Sequence, residues 1–241
     1  WLLGRAIGLL ALVSRISFTA LVSAWVSGLV SGTNEPTGTW PPLLVALFIL
    51  VVLDFCVYWV HRLHHDWSVL WPFHSLHHSA EVLTPFTVYR KHPLYDLFSN
   101  IVKGVILGTV LGLLLGLFVG KAEATDVARI NVFYFLFNLL GANFRHSHVW
   151  LSYGRTLEHL FISPAQHQIH HSIEPRHYNK NYGEVLAVWD WIFGTLYVPD
   201  REEKLTFGLS DGSGETQAQP YPTLWRALWI PVRDSYRAMR S

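Results

Sequence analysis

Cysteine is almost absent. Cys56 is the single one in 241 residues and lies in an apolar run, which excludes a disulfide framework and a thiolate metal site. Charge is scarce as well. Asp, Glu, Lys and Arg make up 15% of the chain, where roughly a quarter is usual for a soluble domain. The net charge is +1, so there is no basic footprint for a nucleic-acid partner. No H-E-x-x-H, P-loop or dinucleotide fingerprint occurs, which removes zincin proteases and nucleotide enzymes. The stretch His146-Ser147-His148-Val149 lacks the Asp-His that would continue a metallo-β-lactamase-type site. The chain opens on Trp1 rather than Met, which reads as a trimmed start, and no separate signal peptide is recognised.

What the chain has is hydrophobic mass and histidine. Apolar residues reach 51%, and Trp, Tyr and Phe together 15%, a composition suited to bilayer interfaces. Four apolar runs read as membrane helices, over about residues 16–30, 43–60, 105–120 and 130–144. The second, with Asp54 its one charge, spans about 27 Å at ~1.5 Å per residue, close to the hydrocarbon thickness. The third and fourth are short for full spans and are expected to form a tilted or partly inserted hairpin. Arg62, Arg90, Lys91, Arg145 and Arg155 lie near the histidine-rich stretches, whereas the linker Ser31–Gly38 has no Lys or Arg. The positive-inside rule then places both termini and the histidine-rich segments, 61–100 and 145–200, in the cytoplasm, with Lys121 and Arg129 running against it. A tail, 201–241, closes the chain. Its last stretch, Tyr221–Arg240, mixes Trp225, Leu228, Trp229 and Ile230 with basic residues. It suits either a helix lying on the membrane or an ordinary packing helix. The whole reads as one membrane-embedded domain, 1–241, all-α, with a helical cytosolic cap.

Within the cap the pattern H-x-x-H-H occurs at His61–His65, His74–His78 and His167–His171; the first box reads His61-Arg62-Leu63-His64-His65. On a helix, positions i, i+3 and i+4 share a face, so each box aims imidazoles into one small volume. Imidazole suits Zn, Cu, Fe and Ni, and three boxes hold more nitrogen than one metal can use, so a dinuclear site follows. A solvated histidine tract does not fit boxes that are separate, repeated and set in aromatic sequence. Asp54, Tyr58, His61 and His65 fall on one helix face, which makes the Asp54 carboxylate a candidate acceptor for the free N–H of a ligating His61. Trp71-Pro72 opens a helix for box two. Ser163 reads as the N-cap and Pro164 as the first helical residue for box three. His146 leaves the fourth run where it can reach the same site. Carboxylates are nearly missing from the boxes, unlike the Glu-x-x-His sets of soluble di-iron bundles.

Together with Asp54-Phe55, Tyr58-Trp59-Val60-His61-Arg62, Leu70-Trp71, Arg90-Lys91-His92-Pro93, Asn181-Tyr182-Gly183, Trp189-Asp190 and Phe193-Gly194-Thr195, this pattern resembles the fatty acid hydroxylase/sterol desaturase superfamily over roughly Leu53 to Pro199. The resemblance implies a membrane-bound non-haem di-iron oxygenase that hydroxylates or desaturates a lipid. It would use O2 and an external electron donor such as cytochrome b5 or ferredoxin, since no haem, flavin or Fe–S motif is present. It implies two iron ions, with zinc able to replace them on purification. The implied ligands are His61, His65, His74, His77, His78, His167, His170 and His171, with His146 matching a further family histidine. His64 falls outside the family's first box. His148 stands where many relatives carry Asn, which leaves His92, His148, Asp54 and Tyr58 as a tenth ligand or as support around the ligands. His159 and His177 read as local structural residues. The rival classes are a membrane metal or haem electron-transfer protein, for which clustered triplets would be superfluous, and a di-zinc hydrolase on the same scaffold.

Overall fold

The computed structural model describes residues 17–30, 42–119 and 144–241. Among these residues the regular structure is helical, with only two isolated β-bridges, Phe161 to Leu186 and Ser172 to Phe207. The helices are α1 (Ser17–Val30), α2 (Pro42–Asp66), α3 (Trp71–His78), α4 (Pro93–Leu114), α5 (Pro164–His170), α6 (Val188–Ile192) and α7 (Leu224–Ala238). The chain divides into two compact units, Trp1–Cys56 with Leu97–Leu139, and Val57–Asp96 with Leu140–Ser241. The fourth expected membrane helix, about 130–144, lies outside the described residues apart from Phe144.

Among the described residues, two stretches are long and apolar enough to cross a membrane, Leu47–Asp66 and Pro93–Leu117. The second corrects the sequence expectation. The apolar run at about 105–120 is the later part of a helix that starts at Pro93, so it is not too short to span. Asp96 and Lys103 hide its start from a search for uncharged sequence. Physically they suit it: Asp96 lies in the first turn, where the helix dipole favours an anion. The His92 Nδ1 accepts from the Leu94 N–H at 3.2 Å and caps the same end.

In the first unit α1 packs on α4 along a stripe of glycines. A Cβ on Gly108 would stand 2.7 Å from the Val22 Cβ, and one on Gly112 would stand 2.6 Å from both the Ser23 carbonyl oxygen and the Val26 Cβ. Small residues let helix backbones approach this closely, as in packed membrane helices. Ala20, Ile49, Leu53, Leu107 and Leu111 fill the interior of the unit. Leu21, Trp25, Leu47, Val51 and Ile101 face outward, as expected of side chains solvated by lipid rather than water.

In the second unit short helices carry the chemistry. Proline in the first turn starts both α3 and α5, because its missing N–H costs nothing there. Ser163 and Gln166 form a reciprocal capping box at the start of α5, as the Ser-Pro sequence predicts. The α7 helix begins at the Thr223 cap and packs on α3.

Candidate metal centre

Two adjacent groups of histidines form the heart of the second unit. His61, His65, His74, His78 and His170 make one; His77, His146, His167 and His171 make the other. Within each, the nitrogen atoms lie within 4.8 Å of one another. The groups adjoin: the rings of His78 and His171 stack at 4.4 Å, and His77 lies 4.6 Å from His171. The helix periodicity of the boxes accounts for this partition. In box two, His74 and His78 are one turn apart and serve the first group, while His77 looks to the second. In box three, His170 and His171 are neighbours but point into different groups.

Burial sets the protonation. His74, His77, His78, His167 and His171 are held well below the ordinary histidine pKa of 6.5, first by desolvation and then by neighbouring imidazoles. His170 falls to about 4, again through burial. These rings are therefore neutral at pH 7 and offer lone pairs.

Backbone carbonyls fix several tautomers. The Nδ1–H of His61 donates to the Tyr182 carbonyl at 2.8 Å, that of His170 to the Lys180 carbonyl at 2.8 Å, and that of His77 to the Thr87 carbonyl at 3.2 Å. Each leaves its Nε2 as the free ligand atom. The Nε2 atoms of His61 and His74 meet at 2.9 Å, and those of His146 and His167 at 2.9 Å. The buried nitrogens His65 Nε2, His170 Nε2, His74 Nδ1, His167 Nδ1 and both of His171 have no hydrogen-bond partner. Buried polar atoms are normally satisfied. A crowd of converging, neutral, unsatisfied imidazoles with no opposing carboxylate is the donor set of a metal centre, and two soft-to-borderline cations fit it.

The segment 180–183 is held from behind. The buried Asp190 carboxylate accepts from the Tyr182 N–H at 2.8 Å, the Gly183 N–H at 2.7 Å and the Thr195 hydroxyl at 2.6 Å. Burial raises its pKa, and these three donors oppose the rise. Asn181 adopts φ 56°, a left-handed conformation that Asn tolerates better than most residues. Its side chain bonds the Gln166 carbonyl and the Tyr197 N–H. A Cβ on Gly183 would sit 2.8 Å from Asp190 Oδ2. The Asn-Tyr-Gly and Trp-Asp motifs are thus a clamp that aims two carbonyls at two histidines. Sequence reasoning recognised these motifs only as a signature; alternation or helix spacing gives no hint that a main-chain oxygen is the working part.

The remaining candidates stand elsewhere. The acceptor for His61 Nδ1 is the Tyr182 carbonyl, a role that the helix-face argument gave to Asp54. Seven residues of helix separate Asp54 and His61 by about 10.5 Å along the axis, too far for a direct bond. Asp54 is fully buried, outside both groups. The Tyr58 hydroxyl bonds Thr195 Oγ1 at 3.0 Å and accepts from Arg62 at 3.1 Å, so it braces the Asp190 network. His92 uses both nitrogens, one capping α4 and the other donating to the Leu228 carbonyl at 3.0 Å. His148 is exposed. His64 is buried against Tyr95 at 4.4 Å, with its Nδ1 on the Val60 carbonyl. His159 Nδ1 bonds the Arg155 carbonyl. His177 lies with Glu174 and Glu203, where the Arg176 guanidinium bridges the two carboxylates at 2.8 and 2.7 Å and already supplies the cation.

A cavity of about 230 Å³ reaches the first group. His65, His78 and His170 line it together with Trp71, Tyr178 and Leu209. The Tyr178 hydroxyl is buried without a hydrogen-bond partner.

Among the described residues, membrane-length helices and a carboxylate-free cluster of histidines that could hold metal define the class: a polyhistidine protein of membrane type. The fatty acid hydroxylase profile matches residues 46–195, so the chain belongs to that family, the one that its histidine boxes resemble. Alkylglycerol monooxygenase of Danio rerio is 29% identical over 182 residues, covering 73% of this chain and 36% of the relative. Human alkylglycerol monooxygenase is 30% identical over the same length, with 37% of the relative covered. The ornithine lipid hydroxylase OlsE of Rhizobium tropici is 32% identical over 171 residues, 71% of this chain and 47% of the relative. The chain thus spans between about a third and a half of the length of these three relatives. No solved structure matches it significantly.

Proposed function

We propose that this protein is a membrane-bound di-iron oxygenase that inserts oxygen into, or desaturates, a C–H-rich segment of a lipid. Two adjoining all-histidine groups carry the reading. Their ligand atoms are grouped five and four, enough for two ions. These residues would hold an iron pair, which would supply the redox chemistry that O2 activation requires. In the hydroxylation balance, the lipid C–H, O2, two electrons and two protons give the lipid C–OH and water. The electrons come from an external donor, such as cytochrome b5 or a ferredoxin.

The chain's own residues have separable tasks. The nine histidines of the two groups bind the metals. The carbonyls of Lys180, Tyr182 and Thr87 hold three of them in the ligating tautomer. Trp71, Tyr178 and Leu209 border the cavity by which a substrate or O2 reaches the first group. Relatives named for alkylglycerol and ornithine lipid support a lipid with a polar head as the substrate class. Four membrane helices would anchor the protein, with the histidine groups on the cytoplasmic side. In a background without Cys56, cysteines introduced singly at Thr37 and Asp66 then label from opposite faces; labelling from one face refutes that topology.

The decisive experiment is purification with metal analysis, followed by O2-dependent turnover of membrane lipids with a reductant. About two metals per chain and product only with iron, O2 and electrons are expected. Turnover without O2 or reductant would instead make the centre hydrolytic, and a haem spectrum would make it an electron carrier.

A further inference from the structure

The α7 helix exposes a face that water does not favour. Leu224 is 77% exposed, Trp225 72%, Trp229 53%, Tyr236 50% and Met239 61%. Trp225 and Trp229 stack in parallel at 6.5 Å. At about 100° per residue, Trp225, Trp229, Val232 and Tyr236 share one stripe of the helix. Arg226, Arg233, Arg237 and Arg240 share the stripe beside it. Pro231 and Ser235, on another side, are buried, so the protein takes that side and leaves the two stripes outward. Asp234 is the one acidic residue of the helix, and Arg233 holds it at 2.8 Å. The exposed sector is therefore aromatic and cationic.

We infer that α7 is a docking helix for an anionic phospholipid surface. Trp and Tyr settle at the headgroup level, Arg stems lie along apolar surface with their heads in the polar layer, and each basic residue near an anionic leaflet adds attraction. A bilayer is also at hand, since the same chain has two membrane-length helices. The docking bears on the metal centre. The Tyr221 hydroxyl, just before α7, bonds Ser75 Oγ of box two at 2.7 Å, and the Leu228 carbonyl accepts from His92. Lipid held by α7 thereby seats the helix that carries His74, His77 and His78. None of this depends on the oxygenase reading.

The test uses the full chain in lipid nanodiscs of phosphatidylcholine, with or without phosphatidylglycerol. In a Cys56→Ser background, Trp229→Cys carries an environment-sensitive NBD label, and Glu215→Cys in the exposed loop serves as the control. Phosphatidylglycerol should shift the emission at 229 to the blue, make it quenchable by doxyl-labelled acyl chains, and leave 215 unchanged. Joint Arg226→Glu, Arg237→Glu and Arg240→Glu substitution should remove the dependence on phosphatidylglycerol. A label at 229 that stays water-like in both discs overturns the inference. So does a label that is equally shielded in both and deaf to doxyl lipid, which would mean a protein contact. Should Cys56→Ser not fold, bromolipid quenching of the native tryptophans replaces the label. It should drop in Trp225→Phe/Trp229→Phe, and an unchanged value again overturns the inference.

Discussion

On the proposed reading, individual side chains divide into those that would bind metal and those that aim them. His77→Ala and His170→Ala remove a donor from different groups, so each should lose metal and abolish O2-dependent turnover, whereas His159→Ala should be nearly silent on both. Asp190 offers a finer test, because the two carbonyls it steadies serve only the five-histidine group. In Asp190→Asn the new amide would face the Gly183 N–H donor to donor, and the 180–183 segment must shift. Metal affinity of that group should fall about 10–100-fold, the usual size of an effect exerted through a ligand's support. Stoichiometry by elemental analysis should then move from about two metals per chain towards one. Loss of both metals together would mean that Asp190 merely holds the fold. Thr195→Ala removes one of three bonds and should cost less, about 1 kcal/mol of stability.

Helices set how closely those side chains can be brought. In the first unit the spacing of Gly104, Gly108, Gly112 and Gly116 places one small residue per turn against α1. Gly112→Leu would drive a branched chain into the Ser23 carbonyl and Val26, and overpacking of this kind costs about 1–3 kcal/mol. Thermal unfolding in detergent should register it. Gly28→Ala, where a Cβ meets nothing within 4 Å, should leave the same transition in place. A Gly112→Leu melting curve equal to the wild type would remove the close α1–α4 packing. In the second unit, α3 and α5 are too short to be stable alone. Their caps, their prolines and the helices and loops around them hold them in place.

For the molecule as a whole, acid is the natural antagonist. His74, His77, His78, His167 and His171 are held well below 6.5 in the folded state, and His170 at about 4. The unfolded chain takes up protons first as pH falls through about 6.5, while the folded rings stay neutral. Stability and metal retention are thus full above that pH and drain away between it and about 4. Metal content after stepwise acidification and desalting should follow that window and recover on return to neutral pH with added metal. Retention unchanged down to pH 4 would mean that the imidazoles are not the ligands.

The repeated H-x-x-H-H boxes, the proline starts of α3 and α5 and the length of the second apolar run were legible in the chain, because helix spacing and caps are local properties. So was the set of histidines that the structure brings together in two groups. Local pattern pairs the histidines one turn apart, but it could not say which pairs and single rings share a group, nor tell that His92 caps a helix. It also could not show that His61 leans on a carbonyl more than a hundred residues away rather than on Asp54. Each of these depends on which backbone atoms a distant segment brings within about 3 Å. A main-chain carbonyl has no letter of its own in the sequence, so only the tertiary structure decides where it points.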